Sequence, residues 1–198
     1  MIKRLFDLVI ALPLLILVSP ILLVIAVLIK LNSKGPIFFL QQRVGLNGAD
    51  FFIYKFRTMQ IGADKMGLLT VGGRDPRVTS VGYFLRKYKL DELPQLINVV
   101  NGTMSLVGPR PEVRKYVDLY NSDQRMVLNA KPGITDYASI EYADENNLLA
   151  SSENPERTYI DEIMPAKLKL NMKYIAEQGV ITDIKIIFST VMRVIRGH

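Results

Sequence analysis

LVIALPLLILVSPILLVIAVLI, Leu8 to Ile29, contains no charged residue. As a helix it is long enough to reach across the roughly 30 Å hydrocarbon core of a bilayer. Its reading decides the fold, because everything after it has to be placed relative to a membrane. A cleaved leader does not fit: the stretch is too long for a leader's apolar core, and no small-residue cleavage site precedes Lys30. A spanning anchor and a re-entrant hairpin both fit the length, and the flanks favour the hairpin. Lys3 and Arg4 precede the run and Lys30 and Lys34 end it, so a span would export one basic flank against the positive-inside tendency. Ser19-Pro20 lies near the middle. Pro20 has no N–H and crowds the Ile16 carbonyl, which bends a helix there. The Ser19 hydroxyl can serve a backbone group freed in this way, and Pro13 offers a second kink. The expectation is a helix-break-helix over residues 1–34 that dips into one leaflet and returns, leaving residues 35–198 as one domain on the cytoplasmic face.

Bulk properties narrow the chemistry. The 198 residues allow one domain with a real core and hardly two. A net charge of +6 and a pI of about 9.5 point to an anionic partner: nucleic acid, anionic lipid or a phosphorylated substrate. Nucleic acid is the weakest of these, since the basic residues alternate with apolar ones and no helix-turn-helix, RNP or zinc pattern is present. There is no cysteine, and the one histidine, His198, closes the chain. That excludes thiolate nucleophiles, histidine triads and His/Cys metal sites, and it fits a reducing cytoplasm. Any catalyst is built from carboxylates, Lys, Arg, Tyr or hydroxyls, and any metal is a hard, oxygen-bound cation such as Mg²⁺.

Past the apolar run, PIFFLQQRV and ADFFIYKFRTM flank GLNG, with Asn47-Gly48 at the tip, and read as a β-hairpin. Phe52, Tyr54 and Phe56 share one face of the second strand and Lys55 and Arg57 the other; the plain meaning of that alternation is a solvated basic face. Residues 60–78 are rich in Gly and charge and read as a long loop. A short basic helix follows over 80–90, then a second helix over 92–100 stopped by Gly102, with Pro94 confining Asp91 and Glu92 to its N-terminus. Gly108-Pro109-Arg110-Pro111 is a stiff turn. After it come a helix over 112–129, an irregular polar stretch over 136–160 and a helix over 165–178 stopped by Gly179. The closing apolar segment DIKIIFSTVMRVIR lies either in the membrane interface or in the core. The fold class is α+β: a helix-rich single domain with a small hairpin.

The acidic pair Asp91-Glu92, in RKYKLDELPQLINVVNG, is set among cations. An aspartate at a helix start has an ordinary use, capping the orphan N–H groups. The same position, beside Arg86, Lys87 and Lys89, also keeps a carboxylate ionised for attack on phosphorus or for binding Mg²⁺. Arg110 sits between two prolines that hold its backbone extended, which suits a pre-positioned guanidinium for bidentate phosphate binding; a rigid surface turn is the plainer reading.

In these residues the chain resembles the bacterial sugar transferases, also called monotopic phosphoglycosyl transferases. The carriers are KRLFDLVIALPLLILVSP, QQRVG, YKFRTM, RDPRVTSVGYFLRK, LDELPQLINVVNGTMSLVGPRPE and KPGIT, which together cover nearly all of the chain. Nothing substantial precedes the apolar run, so the resemblance is to the small form of the family. It implies an enzyme of a bacterial inner membrane, with its catalytic domain on the cytoplasmic face. Such an enzyme moves a phospho-sugar from a UDP-sugar to a polyprenyl phosphate such as undecaprenyl phosphate and releases UMP. The implied roles are Asp91 as nucleophile, Glu92 as its helper, both carboxylates on Mg²⁺, Arg57, Arg86 and Arg110 as cations near the phosphates, and Ser19-Pro20 as the helix-breaking pair. Membrane lipid is a further partner, nucleic acid is not, and association with further copies of the chain stays open. Asp136, Tyr137 and Ser139 stand where many relatives read Gly, Trp and Gln, and Asn171 where many carry aspartate; these positions shape the sugar and nucleotide pocket. Two other classes compete: a non-catalytic membrane scaffold that binds lipid or a glycan-assembly partner, and a metal-dependent transferase that releases UDP.

Overall fold

A computed structural model describes residues 2–63, 67, 69, 70, 72 and 75–196. His198 and the other positions of the Gly-rich stretch at 60–78 lie outside the described residues. The ends of that stretch are pinned together by a bridge between Met59 and Val78.

Helix α1 runs from Ile2 to Asn32 with Pro13 and Pro20 inside it, so the break expected at Ser19-Pro20 is absent and the helical backbone continues through the pair. The local chemistry explains how. Pro20 cannot donate to the Ile16 carbonyl, and Ser19 Oγ donates to that oxygen instead, at 2.8 Å. One stripe of α1 lies against the rest of the protein. Asp7, Ala11, Ile25 and Ile29 are buried, and Leu15, Val18 and Leu22 pack between them. The spacing of four and three residues is that of a single helix face. The remaining circumference, including Leu12, Ile16, Leu17, Leu23 and Val24, is apolar and exposed.

Strands β1 (Phe38–Val44) and β2 (Asp50–Phe56) form the expected antiparallel hairpin, with Asn47 and Gly48 at positive φ in its turn. Its basic face is not solvated: Arg57, just past β2, is buried, and Lys55 turns inward to an ion pair with Glu92. Helix α2 (Ser80–Lys87) starts at Thr79, whose side chain accepts from Gly82 N–H. Helix α3 is shorter than expected, Gln95–Asn101, and Asp91 and Glu92 lie before it in a single 3₁₀ turn, Leu90–Glu92.

Sequence periodicity missed the next strand pair. Strands β3 (Ser105–Val107) and β4 (Gly133–Thr135) run parallel and bring the VGPRP and KPGIT segments together. Gly108 N–H donates to Thr135 O and Gly133 N–H to Pro109 O, both at 3.0 Å. The chains cross so closely that a Cβ on Gly133 would lie 2.1 Å from Gly108 N, so only glycine fits there.

The helix expected over 112–129 is divided into α4 (Arg114–Val117), α5 (Ser122–Arg125) and a 3₁₀ turn, Met126–Asn129. Asn121 is the cause: it forms a capping box with Gln124 and restarts the helix. The stretch expected to be irregular holds α6 (Tyr137–Glu141), α7 (Glu145–Ala150), α8 (Pro155–Thr158) and a π turn, Tyr159–Ile163. Helix α9 (Met164–Glu177) follows as expected. The closing segment is a single helix, α10 (Val180–Arg196), buried on one side only. Asp183 and Ile186 are buried, while Ile181, Ile184, Phe188, Val191 and Ile195 form an exposed apolar stripe.

Candidate functional site: an acidic pair between two clamps

The 3₁₀ turn that carries Asp91 and Glu92 follows Lys89, whose backbone is left-handed (φ 54°), and directly precedes α3. The two carboxylates have different surroundings. Glu92 is gripped from two sides. Lys55 Nζ, from β2, donates to its Oε1 at 2.8 Å. The Arg110 guanidinium takes both oxygens, with Nη1 donating to Oε2 at 3.2 Å and Nη2 to Oε1. Burial pushes the Glu92 carboxyl up, but Arg110 and Lys55 outweigh it and hold the group well below the usual carboxylate range. Asp91 is also buried, 8% exposed, yet no group among the described residues hydrogen-bonds to its carboxylate, so it does not cap α3. Burial raises its pKa above the ordinary value and the Glu92 charge adds to this, while Lys55, Arg86 and Lys89 pull the other way. The pair is therefore one spent carboxylate that orients two cations and one unspent carboxylate beside them.

Arg110 is held through its backbone as well as its side chain. Pro109 and Pro111 flank it, and its N–H donates to Asp136 Oδ2 at 3.3 Å. Asp136 is fully buried and also caps α6 by accepting from Ser139 N–H at 2.6 Å. Arg86, from α2, donates to Thr70 Oγ1 at 2.8 Å and is among the charges felt by Asp91. Arg57 is elsewhere. Its guanidinium donates to Lys34 O at 2.6 Å and to Ser33 O and Oγ at 2.9 Å, which fastens the end of α1 to β2. The structure thus brings Asp91, Glu92, Arg86 and Arg110 together and sends Arg57 to the end of α1. Lys55 is the member that sequence reading misplaced on a wet face.

On the far side of Arg110 lies a cavity of about 200 Å³. Arg43, from β1, donates to Glu112 Oε1 at 3.0 Å and to Pro111 O at 3.1 Å. Tyr159 donates to Glu112 Oε2, and Lys167 donates to Glu145 Oε2 at 2.7 Å. Asn171, from α9, lines the same space.

Among the described residues no three acidic side chains are grouped to hold a metal ion. Both Glu92 oxygens already accept from cations, which leaves Asp91 as the carboxylate with oxygens to offer.

The sequence profile of the family described as bacterial sugar transferase matches residues 1–197. The chain belongs to that family. This sugar transferase chain is 38% identical over 196 residues to the UDP-glucose:undecaprenyl-phosphate glucose-1-phosphate transferase of Escherichia coli (strain K12), covering 98% of the chain and 40% of that relative. It is 37% identical over 199 residues to the UDP-N-acetylgalactosamine-undecaprenyl-phosphate N-acetylgalactosaminephosphotransferase of Aeromonas hydrophila, covering 99% and 44%. EpsL of Bacillus subtilis (strain 168), described as an uncharacterized sugar transferase, is 38% identical over 193 residues, covering 98% and 87%. The sugar transferase chain therefore spans less than half the length of the first two relatives and most of the third.

Proposed function

We propose that this chain is a phosphoglycosyl transferase that works through Asp91. The observation that carries the proposal is the contrast within the acidic pair: a carboxylate without a hydrogen-bond partner among the described residues, next to one clamped by Lys55 and Arg110. A nucleophile needs its oxygen free, and its neighbours need their charges fixed in advance. In the first step an Asp91 oxygen attacks the sugar-bearing phosphorus of a UDP-sugar. The bond from that phosphorus to the bridging oxygen breaks, and UMP leaves with the electron pair. In the second step an oxygen of a polyprenyl phosphate attacks the same phosphorus, the bond to Asp91 breaks, and the carboxylate is restored. Arg86 and Arg110 offset the repulsion between the carboxylate and the diphosphate. Glu92 sets the direction of the Arg110 fork.

Asp91 is the residue that would hold Mg²⁺, a hard cation suited to carboxylate, phosphate and water oxygens. When bound, it would neutralise diphosphate charge. The names of the relatives support a UDP-sugar donor and undecaprenyl phosphate as acceptor.

A position on one side of a membrane is supported by the way α1 is held. Near its start, Arg4 donates to the carbonyls of Val99 and Val100 and Lys3 pairs with Asp183. At its end, Asn32 Nδ2 donates to Ser80 Oγ and Arg57 grips Ser33 and Lys34. Both ends dock on one polar body, so the helix lies against it with its apolar circumference turned to lipid, within one leaflet rather than through two. This keeps the catalytic carboxylate near the interface, where the head group of a lipid phosphate sits.

The deciding experiment incubates the purified full chain with Mg²⁺, undecaprenyl phosphate and a panel of UDP-sugars and identifies the nucleotide released. UMP is expected, and UDP would overturn phosphoryl transfer through Asp91.

A further inference from the structure

Glu145 opens α7 and Lys167 lies in α9, and both line the cavity beside Arg110. Lys167 Nζ donates to Glu145 Oε2 at 2.7 Å and stands over the Tyr159 ring, 5.4 Å from its centroid. The pair is held in place but not closed off: the Lys167 side chain is 15% exposed and that of Glu145 22%. An ammonium has three N–H donors and a carboxylate two acceptor oxygens, and this contact engages one of each. Among the described residues no hydrogen bond reaches Glu145 Oε1 or uses the other Nζ hydrogens. A tie between two helices has no use for that remainder, whereas a ligand in the cavity does.

The cavity is joined to the acidic pair twice. Arg110 lines it and grips Glu92. Thr70 lines it and accepts from Arg86, one of the charges felt by Asp91. In the proposed reaction the sugar hangs by one oxygen from the phosphorus that Asp91 attacks, while the base lies beyond a second phosphate and a ribose. The space that shares walls with the acidic pair therefore belongs to the sugar. Its charges agree. Arg43 is matched by Glu112, Lys167 by Glu145 and Arg110 by Glu92, so the occupant brings no net charge. Leu149 and Met164 add apolar wall for the C–H face of a ring.

We infer that the cavity seats an uncharged sugar ring of the donor and that Glu145 and Lys167 read two adjacent hydroxyls on it. One hydroxyl donates to Glu145 Oε1, and its neighbour accepts from a Lys167 N–H. The inference rests on the proposed phospho-sugar transfer and names the class of sugar that it uses.

The test takes the UDP-sugar that gives most UMP with the purified full chain, and then the monodeoxy analogues of that donor, each lacking one ring hydroxyl. In the wild type, removal of either of two adjacent hydroxyls should lower kcat/KM by about tenfold or more. In Glu145→Met one of these losses should vanish and in Lys167→Met the other, while inhibition by UMP, which carries no sugar, stays within about twofold. The double exchange Glu145→Lys with Lys167→Glu restores a tie between α7 and α9 but should not restore the wild-type pattern of deoxy losses. Deoxy losses that are the same in wild type and variants overturn the assignment. Recovery of wild-type kcat/KM in the double exchange overturns it in favour of a structural tie. Weakened UMP inhibition with unchanged deoxy losses overturns it in favour of the base. In each of these cases the wild type still releases UMP and the transfer reading stands; a wild type that releases none from any donor removes that reading, and this inference with it.

Discussion

Asp91 and Glu92 are neighbours in sequence with opposite duties, and substitution should separate them. Asp91→Asn removes the proposed nucleophile but breaks no hydrogen bond among the described residues, and it relieves the cost of an ionised carboxylate whose pKa burial has raised. UMP release should fall by at least about a thousandfold, with the unfolding temperature unchanged or higher; turnover near the wild-type rate would end the nucleophile assignment. Glu92→Ala does the reverse to the fold. It strands Lys55 and Arg110 without their counter-charge, and a loss of roughly 3 kcal/mol is expected in denaturant titration. Arg110→Lys should recover little of the activity that Arg110→Ala loses, because an ammonium cannot span both Glu92 oxygens. The pair was legible in the sequence as acidic residues among cations. Which of the two is free was not, because that depends on Lys55, thirty-odd positions earlier, turning inward from a strand whose alternation reads equally well as a wet face.

Among elements, the hairpin, α2, α9 and the stop at Gly102 follow from turn residues and periodicity, which are local signals. The failures are of two kinds. At 112–129 a capping box at Asn121 restarts a helix that a broader apolar pattern would have carried through. At 105–107 and 133–135 the strands have only three residues each, too few for alternation to register, and their pairing is long-range. The Gly108–Gly133 crossing makes the pairing testable. Gly133→Ala places a methyl against Gly108 backbone, which should move the Pro109–Pro111 turn and lower both stability and turnover, whereas Gly179→Ala, where a Cβ meets nothing, should do neither. Arg57 is an element-scale residue as well. Arg57→Ala should loosen the end of α1, detected as faster amide exchange at residues 30–34, while KM for the UDP-sugar stays within about twofold. A large rise in KM with unchanged exchange would return Arg57 to the phosphate site.

For the whole molecule the question is whether the proposed one-leaflet placement of the exposed apolar helix holds. Ile2→Cys and Lys34→Cys introduce the only thiols in the chain, at the two ends of α1. In oriented vesicles both should react with an impermeant maleimide from the same side as the catalytic domain; labelling from opposite sides would establish a span. The apolar run itself was plain in the sequence, but its attachment was not, since Ala11 and Ile25 look no different from their exposed neighbours until α3 and β2 are placed against them. That attachment has a mechanical consequence. At 1.5 Å per residue α1 is about 46 Å long, and a free helix of that length would answer hydrophobic mismatch by changing its tilt. A helix fastened at Arg4 and at Ser33 and packed along one stripe has no such freedom, so in the proposed one-leaflet placement the depth of Asp91 is set by protein contacts rather than by lipid. Turnover in vesicles of increasing acyl-chain length should therefore stay within roughly twofold, while Arg57→Ala, with one fastening released, should make the rate depend on bilayer thickness.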